Sequence, residues 1–189
     1  MTIVETLSPV TGGLARAERP EDLAAFLQPS CAAAIWTRDV DPAFQTWIDG
    51  LDPSHLPQGR VVSAPDRARE VVAGLCDVCE TPAGPHRDRL VDDIAALAHI
   101  FADLMQAPYL RIRLQAVRTN ACRRFHVDAI PARLVCTYRG EGTQYGKRLA
   151  QDEDPHHVFS APTGAPILLR GVPLARNAQR RSAAPLSPD

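Results

Sequence analysis

Residues 88–118 read DRLVDDIAALAHIFADLMQAPYLRIRLQAVR, and the period of the hydrophobic residues changes within them. Up to Gln106 the apolar residues recur at the three- and four-residue spacing of one helix face, and Pro108 ends the helix. From Tyr109 to Arg118 apolar and polar residues alternate, which predicts a half-buried strand. The chain therefore changes here from helical to β structure.

The residues before this point carry mainly helix signals. Proline and acidic residues at the first turn favour helices over residues 20–28, 41–48 and 65–79. A short apolar run predicts a buried strand over residues 32–37. Residues 1–19 show no period and are expected to form an extended or mobile arm, so that residues 20–107 make up a mainly helical part.

The residues after this point carry mainly strand signals. We predict strands over residues 125–128, 133–138 and 166–169, which makes residues 109–170 the mainly β part. Residues 173–189 contain little apolar surface and are expected to form an irregular tail. Helices followed by strands are typical of the α+β class. We therefore expect a single domain over residues 1–189, with a helical N-terminal half packed on a C-terminal antiparallel sheet or small barrel.

Composition limits the class of protein. The chain has 189 residues, of which 45% are hydrophobic, so it can bury a sizeable core. Its beginning does not resemble a secretory signal and no apolar run is long enough to cross a bilayer, which predicts a cytoplasmic protein that does not bind membranes. The odd number of cysteines, five, argues against a disulfide framework.

The charge is distributed unevenly. Residues 1–110 carry 8 Arg and 16 acidic residues, whereas residues 111–189 carry 13 basic and 6 acidic residues. A basic second half could attract an anionic small substrate, or the two halves could simply neutralise each other in the fold. Aromatic residues amount to only 5% and do not alternate with basic runs, so we expect no nucleic-acid partner. The oligomeric state is not predicted.

His126 and Asp128 form the one pair of residues that suggests chemistry. On a strand, residues two apart lie on the same face, so this imidazole and this carboxylate could bind one ion. Together with a second histidine they would form the two-His-one-carboxylate arrangement of mononuclear iron sites. The alternative is a surface strand with two polar side chains in water.

The residues around this pair resemble the signature of a bacterial family, domain-of-unknown-function family 1826. That signature is a Cys, then Phe-His-x-Asp, then Arg-Leu-x-Cys-Thr-Tyr-x-Gly-x-Gly-Thr. It is matched here by Cys122, Phe125, His126, Asp128, Arg133, Leu134, Cys136, Thr137, Tyr138, Gly140, Gly142 and Thr143. Ile35, Trp36 and Arg38 also resemble the N-terminal landmark of the family. Members are often encoded near metal-homeostasis GTPases, so the resemblance implies a connection with metals.

The chain is more distantly similar to the double-stranded β-helix oxygenases that use Fe(II) and 2-oxoglutarate. This similarity implies an incomplete, cupin-like barrel, a mononuclear metal, a 2-oxoglutarate cofactor and a small-molecule substrate. Those oxygenases carry a His-x-Asp early in the barrel and a distal His near its end. Here Arg180 stands where that His would fall, and the closing strand expected after Pro185 is absent. Either another residue supplies the third ligand, or this copy is degenerate or truncated.

His156 and His157 are the candidates for the third ligand, although adjacent histidines after an acidic turn are also common in solvated loops. Cys122 could act as a soft ligand, and that ligand set would suit zinc better than iron. In the oxygenase interpretation Arg133, Arg170 or Arg181 could hold a carboxylate bidentately; otherwise each is a surface arginine. The alternatives to an oxygenase are a non-catalytic zinc-binding or metal-homeostasis protein and a degenerate barrel that acts as an interaction module.

Overall fold

The structure is a computed structural model that describes residues 10–117, 129–146 and 156–171. Within these ranges the chain forms three α-helices: α1 (Pro42–Gly50), α2 (Ala68–Val78) and α3 (Pro85–Met105). Three 3₁₀ segments cover Pro20–Leu27, Pro53–His55 and Pro65–Arg67. The predicted helices at 41–48, 65–79 and 88–106 are confirmed, while the segment predicted at 20–28 is a 3₁₀ helix.

The described residues also form nine strands. They are β1 (Val10–Thr11), β2 (Leu14–Ala17), β3 (Ala33–Trp36), β4 (Gly59–Ser63), β5 (Leu110–Leu114), β6 (Ala132–Val135), β7 (Gln144–Gly146), β8 (Val158–Ser160) and β9 (Ile167–Arg170). Five of them form one sheet in the order β1-β2-β3-β9-β6, and the other four form two ribbons, β4-β5 and β7-β8.

Local sequence explains the helix boundaries. The Asp41 side chain accepts a hydrogen bond from the backbone N–H of Ala43 at 2.9 Å, which caps α1, and Pro42 occupies its first turn. At the end of α3, Gln106 adopts a left-handed conformation with φ 49°, and Pro108 follows. The apolar stripe of α3 is buried as its spacing predicts, through Leu90, Val91, Ile94, Ala95, Leu97, Ala98 and Ala102.

The five-stranded sheet differs from the prediction in its composition. Strand β9 lies between β3 and β6 and is antiparallel to both, but β2 and β3 are parallel. Three of the five strands thus come from the first 36 residues, and residues 10–17 of the predicted arm belong to the sheet. The predicted mixture of helices and antiparallel sheets is confirmed. The five-stranded sheet is not formed by the second half alone, however, because β3 from the mainly helical part pairs with β9, the last described strand.

Hydrophobic clusters lie on both faces of this sheet. One joins the 3₁₀ segment Pro20–Leu27 to β2, β3 and β9 through buried residues such as Phe26 and Leu168. Another, around Ile35 and Ile167, is covered by Tyr145 of β7, so the β7-β8 ribbon lies over the β3-β9-β6 part of the sheet. A third cluster packs α1, α2 and α3 together with β5.

The two ribbons were not predicted as pairs. Strand β4 pairs with β5 in antiparallel register, although no strand was predicted over its residues. Within the described ranges the sheets do not close into a barrel. The predicted strand at 125–128 and the tail at 173–189 lie outside those ranges. Among the helices that the structure describes, none has the length and apolarity needed to cross a bilayer.

Candidate functional site

Four of the predicted site residues, Cys122, His126, Asp128 and Arg181, lie outside the residues that the structure describes. The described chain resumes at Ala129, immediately after the His-x-Asp pair. Two residues later, the carbonyl of Pro131 accepts a hydrogen bond from the backbone N–H of Gly171 at 3.1 Å. The segment that follows the pair is thus fixed where β6 enters the sheet beside the end of β9.

His156 and His157 lie immediately before β8, and both side chains are exposed. The ribbon that they introduce is held by the antiparallel pairing of β7 with β8 and by ring stacking of Tyr145 on Phe159, with centroids 5.7 Å apart. Among the described residues, no three His, Cys, Asp or Glu side chains come together in a group that could hold a metal ion.

Arg133 lies on β6 opposite Leu169 of β9 and is exposed. Its neighbours Ala132 and Leu134 pack into the cluster on one face of the sheet, whereas Val135 and Leu169 pack into the cluster on the other face. Because strand residues alternate, Arg133 belongs with Val135 on the face that the β7-β8 ribbon covers.

Arg170 at the end of β9 is engaged with the N-terminal part of the chain. Its guanidinium donates hydrogen bonds to the backbone carbonyls of Phe26, Gln28 and Cys31, and it lies 4.7 Å from the centroid of the Phe26 ring. These contacts fix the end of the 3₁₀ segment against the sheet. A carboxylate that paired with Nε and Nη2 of Arg170 would have to displace these backbone acceptors.

A polar cluster that sequence reasoning missed connects three distant parts of the chain. The Arg38 guanidinium donates to both carboxylate oxygens of Asp93, at 2.6 and 2.7 Å, and its Nε donates to the carbonyl of Gly164 at 2.7 Å. The hydroxyl of Tyr138 donates to Asp93 Oδ2 at 2.6 Å. The segment after β3, the middle of α3 and the segment after β6 are therefore joined through one carboxylate.

Burial determines the protonation states in this cluster. It raises the pKa of the Cys136 thiol to about 11, although the nearby Arg38 charge opposes the shift. It also raises the pKa of Tyr138 well above its ordinary value, with further contributions from Cys136 and Asp93. Burial alone would lower the pKa of Arg38, but the hydrogen bonds and charge of Asp93 raise it overall. At neutral pH the cluster thus holds an ion pair, a neutral phenol and a neutral thiol.

A shallow cavity of about 60 Å³ opens beside this cluster. Pockets for small organic ligands usually measure about 300–1,000 Å³, so this one has room for a few water molecules. The carboxylate of Asp93 has hydrogen bonds on both oxygens, and the raised pKa values leave neither Cys136 nor Tyr138 ionised. The cluster is therefore suited to holding the fold together rather than to nucleophilic or acid–base chemistry.

The position of Asp93 in the sequence carries a signal for this cluster. It follows Leu90 by three residues and precedes Leu97 by four, which places a carboxylate on the buried face of α3. A charge in that position requires a partner of opposite charge. Arg38, which the family resemblance had singled out, provides it.

The glycines of the signature are also explained by the fold. A Cβ atom on Gly142 would lie 1.6 Å from the carbonyl oxygen of Ala161, so the two segments can approach only because that residue is glycine. Gly140 has φ +80°, a conformation that favours glycine. The hydroxyl of Thr163 donates to the Gly140 carbonyl at 2.6 Å, which fastens the turn to the segment before β9. This part of the signature therefore encodes packing.

Comparison with known proteins agrees with the resemblance noted in the sequence. Residues 17–183 match a family described as "Protein of unknown function (DUF1826)". No curated protein and no solved structure matches the chain. Because the match covers most of the sequence, the chain belongs to this family of proteins of unknown function.

Proposed function

We propose that the protein binds a single divalent metal ion through His126 and Asp128 and is of the Fe(II)/2-oxoglutarate-dependent oxygenase-like type. An imidazole and a carboxylate are ligands that Fe(II) accepts in sites that keep positions open for substrate. Fe(II) and 2-oxoglutarate, when bound, would supply oxidative chemistry on a small molecule. The four cysteines of the described residues are free thiols, which supports a reducing, cytoplasmic setting.

The observation that carries the proposal is the fixed point at Pro131. Its hydrogen bond to Gly171 holds the chain at the edge where β6 begins. Asp128 precedes Pro131 by three residues in the sequence, and three residues of chain span at most about 11 Å. This closeness in sequence supports the proposal that the pair acts at the same sheet edge.

His156 or His157 would complete the ligand set. The chain turns between β8 and β9, where the backbone N–H of Ala165 donates to the carbonyl of Pro162 at 3.0 Å. A reversal of the chain there would bring the start of β8 toward the end of β9, which is also where β6 begins. This topology favours a histidine before β8 as a ligand and supports a two-layer, incomplete double-stranded β-helix in this part of the chain.

Arg133 is the described arginine best suited to hold the distal carboxylate of 2-oxoglutarate. It lies on β6, on the same sheet face as Val135, whose side chain packs with Tyr145 of β7. A guanidinium pairs with a carboxylate through two parallel hydrogen bonds, which would orient the acid at this end of β6.

The metal ligands can be tested by measuring iron and zinc in protein purified without oxygen. We expect about one metal ion per chain, and we expect His126→Ala and Asp128→Ala to lose most of it. His99→Ala is the matched control, because His99 is exposed on α3 and distant in sequence from the proposed ligands. Metal content in His126→Ala equal to that in the control would contradict the proposal.

Turnover separates an oxygenase from a metal-handling protein. With Fe(II) and oxygen the protein should convert 2-oxoglutarate to succinate slowly in the absence of substrate, and Arg133→Gln should reduce this rate more than Arg16→Gln, a change of an exposed arginine on β2. Tightly bound zinc without succinate formation would replace the oxygenase assignment by a zinc-binding one that uses Cys122.

A further inference from the structure

The outer face of the β4-β5 ribbon carries three arginines. Arg60 lies directly opposite Arg113, and Val62 lies directly opposite Arg111. All four side chains are exposed, whereas the alternate residues Leu110 and Ile112 pack into the helical cluster on the inner face. We refer to the surface formed by Arg60, Val62, Arg111 and Arg113 as the basic face.

Among the described residues, the arginines of the basic face have no acidic partners. Within the described part of the chain, none of the three makes an ion pair, and Arg113 donates only to the side chain of Gln115. Exposed arginines nearby behave differently, because Arg67 pairs with Glu70 and Arg69 pairs with Asp92. Arg16 on β2 likewise makes no ion pair among the described residues, so the basic face is distinguished by bringing three such arginines onto one surface.

This arrangement works against the stability of the ribbon. Directly opposed side chains have Cβ atoms about 4.5–5.5 Å apart, and like charges in that position are destabilising. Arg60 and Arg113 form such a pair, and Arg111 lies on the diagonal from Arg60. An anion bound across the face would turn this repulsion into attraction.

Apolar side chains accompany the charges. Val62 is 64% exposed in the middle of the face, and Tyr109, one residue before β5 and in the same alternation as Arg111, is 68% exposed. Tyrosine and arginine are the residues that most often dominate protein–protein interfaces, while lysine is depleted there. The face therefore has the composition of an interface with another protein.

We propose that the basic face docks an acidic, extended segment of a partner protein. Arg111 and Arg113 are two residues apart on one strand, which corresponds to about 6.8 Å, and acidic residues that alternate along an extended segment have the same spacing. Three guanidiniums can pair bidentately with successive carboxylates of such a segment. Val62 and Tyr109 would contact the residues between them.

The surroundings favour a short acidic segment over a nucleic acid. Strand β4 is followed within a few residues by the exposed side chains of Asp66 and Glu70. Residues 1–110, which include β4, carry 16 acidic residues against 8 Arg, and this net negative charge would repel a long polyanion. A segment that covers only three charges avoids this repulsion.

Binding can be measured by fluorescence anisotropy with a labelled peptide of alternating Glu and Thr at low ionic strength. A peptide of alternating Lys and Thr and a labelled oligothymidylate are the comparison probes. We expect the Glu peptide to bind, to weaken as salt is added, and to bind more tightly than both other probes. No binding of the Glu peptide, or tighter binding of oligothymidylate, would overturn the proposal.

Two triple variants with equal charge changes locate the binding. The test variant, Arg60→Gln/Arg111→Gln/Arg113→Gln, neutralises the basic face. The control variant, Arg16→Gln/Arg67→Gln/Arg69→Gln, neutralises three other exposed arginines. We expect the test variant to lose at least about tenfold in affinity for the Glu peptide and the control to lose much less. Equal losses would show a general charge effect and would refute docking at this face.

Thermal unfolding provides a second readout and checks that the variants fold. Replacing Arg113 by Gln removes the repulsion from Arg60, so the melting temperature should rise by about 1–3 °C while affinity falls. A variant that loses both stability and affinity would indicate that these arginines support the fold, which would contradict the proposal.

Discussion

Replacing Asp93 by asparagine tests the polar cluster that joins α3 to the family signature. The substitution keeps the size of the side chain but removes its charge. The new NH₂ group faces hydrogen-bond donors in either orientation of the amide. In the Oδ1 position it meets Arg38 Nη1, and in the Oδ2 position it meets Arg38 Nη2 and the Tyr138 hydroxyl. Arg38 would then be left as a cation with only 18% of its side chain exposed.

The expected loss follows from the hydrogen bonds that Asp93 accepts. There are three, two from Arg38 and one from Tyr138, and hydrogen bonds to charged groups contribute about 1.5–3 kcal/mol each. Asparagine retains one oxygen and can keep part of this network. We therefore expect Asp93→Asn to lower the free energy of unfolding by about 2–4 kcal/mol, which corresponds to roughly 4–16 °C in melting temperature.

Urea unfolding followed by tryptophan fluorescence measures this difference, and the neighbouring residue supplies the control. Asp92 pairs with Arg69, but the two side chains are 59% and 62% exposed, and exposed pairs contribute about 0–1 kcal/mol. Asp92→Asn should therefore change stability little. If the two variants lose the same amount of stability, the cluster contributes no more than a solvated ion pair and the reasoning is wrong.

Three further predictions concern residues of the same sheet and helices. Burial raises the pKa of Cys136 from about 9 to about 11, so the stability that the neutral thiol contributes should be complete below pH 9. This contribution should decrease by up to about 2.7 kcal/mol as the pH rises toward 11. Cys136→Ala should therefore reduce the slope of the urea midpoint against pH, and an unchanged slope would argue against this. Gly142→Ala should prevent stable folding, because its Cβ would overlap a backbone carbonyl. Gly74 lies in the middle of α2 with open space around it, so Gly74→Ala should raise stability by about 0.5–1 kcal/mol. Thermal unfolding distinguishes the two variants. Arg170→Gln should lower the melting temperature without changing the bound metal, and loss of metal alongside normal stability would instead assign Arg170 to the metal site.

The sequence was most informative where one local pattern acts alone. The 21 residues of α3 have a continuous apolar stripe and a proline beyond the end, so the period and the C-terminal boundary were predicted well. The helix begins at Pro85, three residues before the predicted start at Asp88. The start of α1 was also predicted from local residues, since Asp41 is its N-cap and Pro42 lies in its first turn. Strand β4 was missed because Gly59 and the prolines before it are typical of loops, and its pairing with β5 depends on a contact between residues more than 40 positions apart.

The candidate site was less predictable for a related reason. Arg38, Asp93 and Tyr138 come from three separate regions, and only a buried position on α3 marks Asp93 as unusual. Spacing identifies the His126–Asp128 pair, but spacing cannot fix which distant histidine joins it. Arg170 shows the same limitation, because its partners are backbone carbonyls, which no side-chain pattern in the sequence reveals.

The central position of β9 has a consequence for synthesis of the chain. Strand β9 is the last described strand to leave the ribosome, yet it separates β3 from β6 and hydrogen-bonds to both. The edge of β3 that pairs with β9 therefore stays unpaired until about 130 further residues have been synthesised. Such late, long-range closure slows folding and exposes unpaired edges in the nascent protein, which makes this chain a candidate for chaperone assistance during translation.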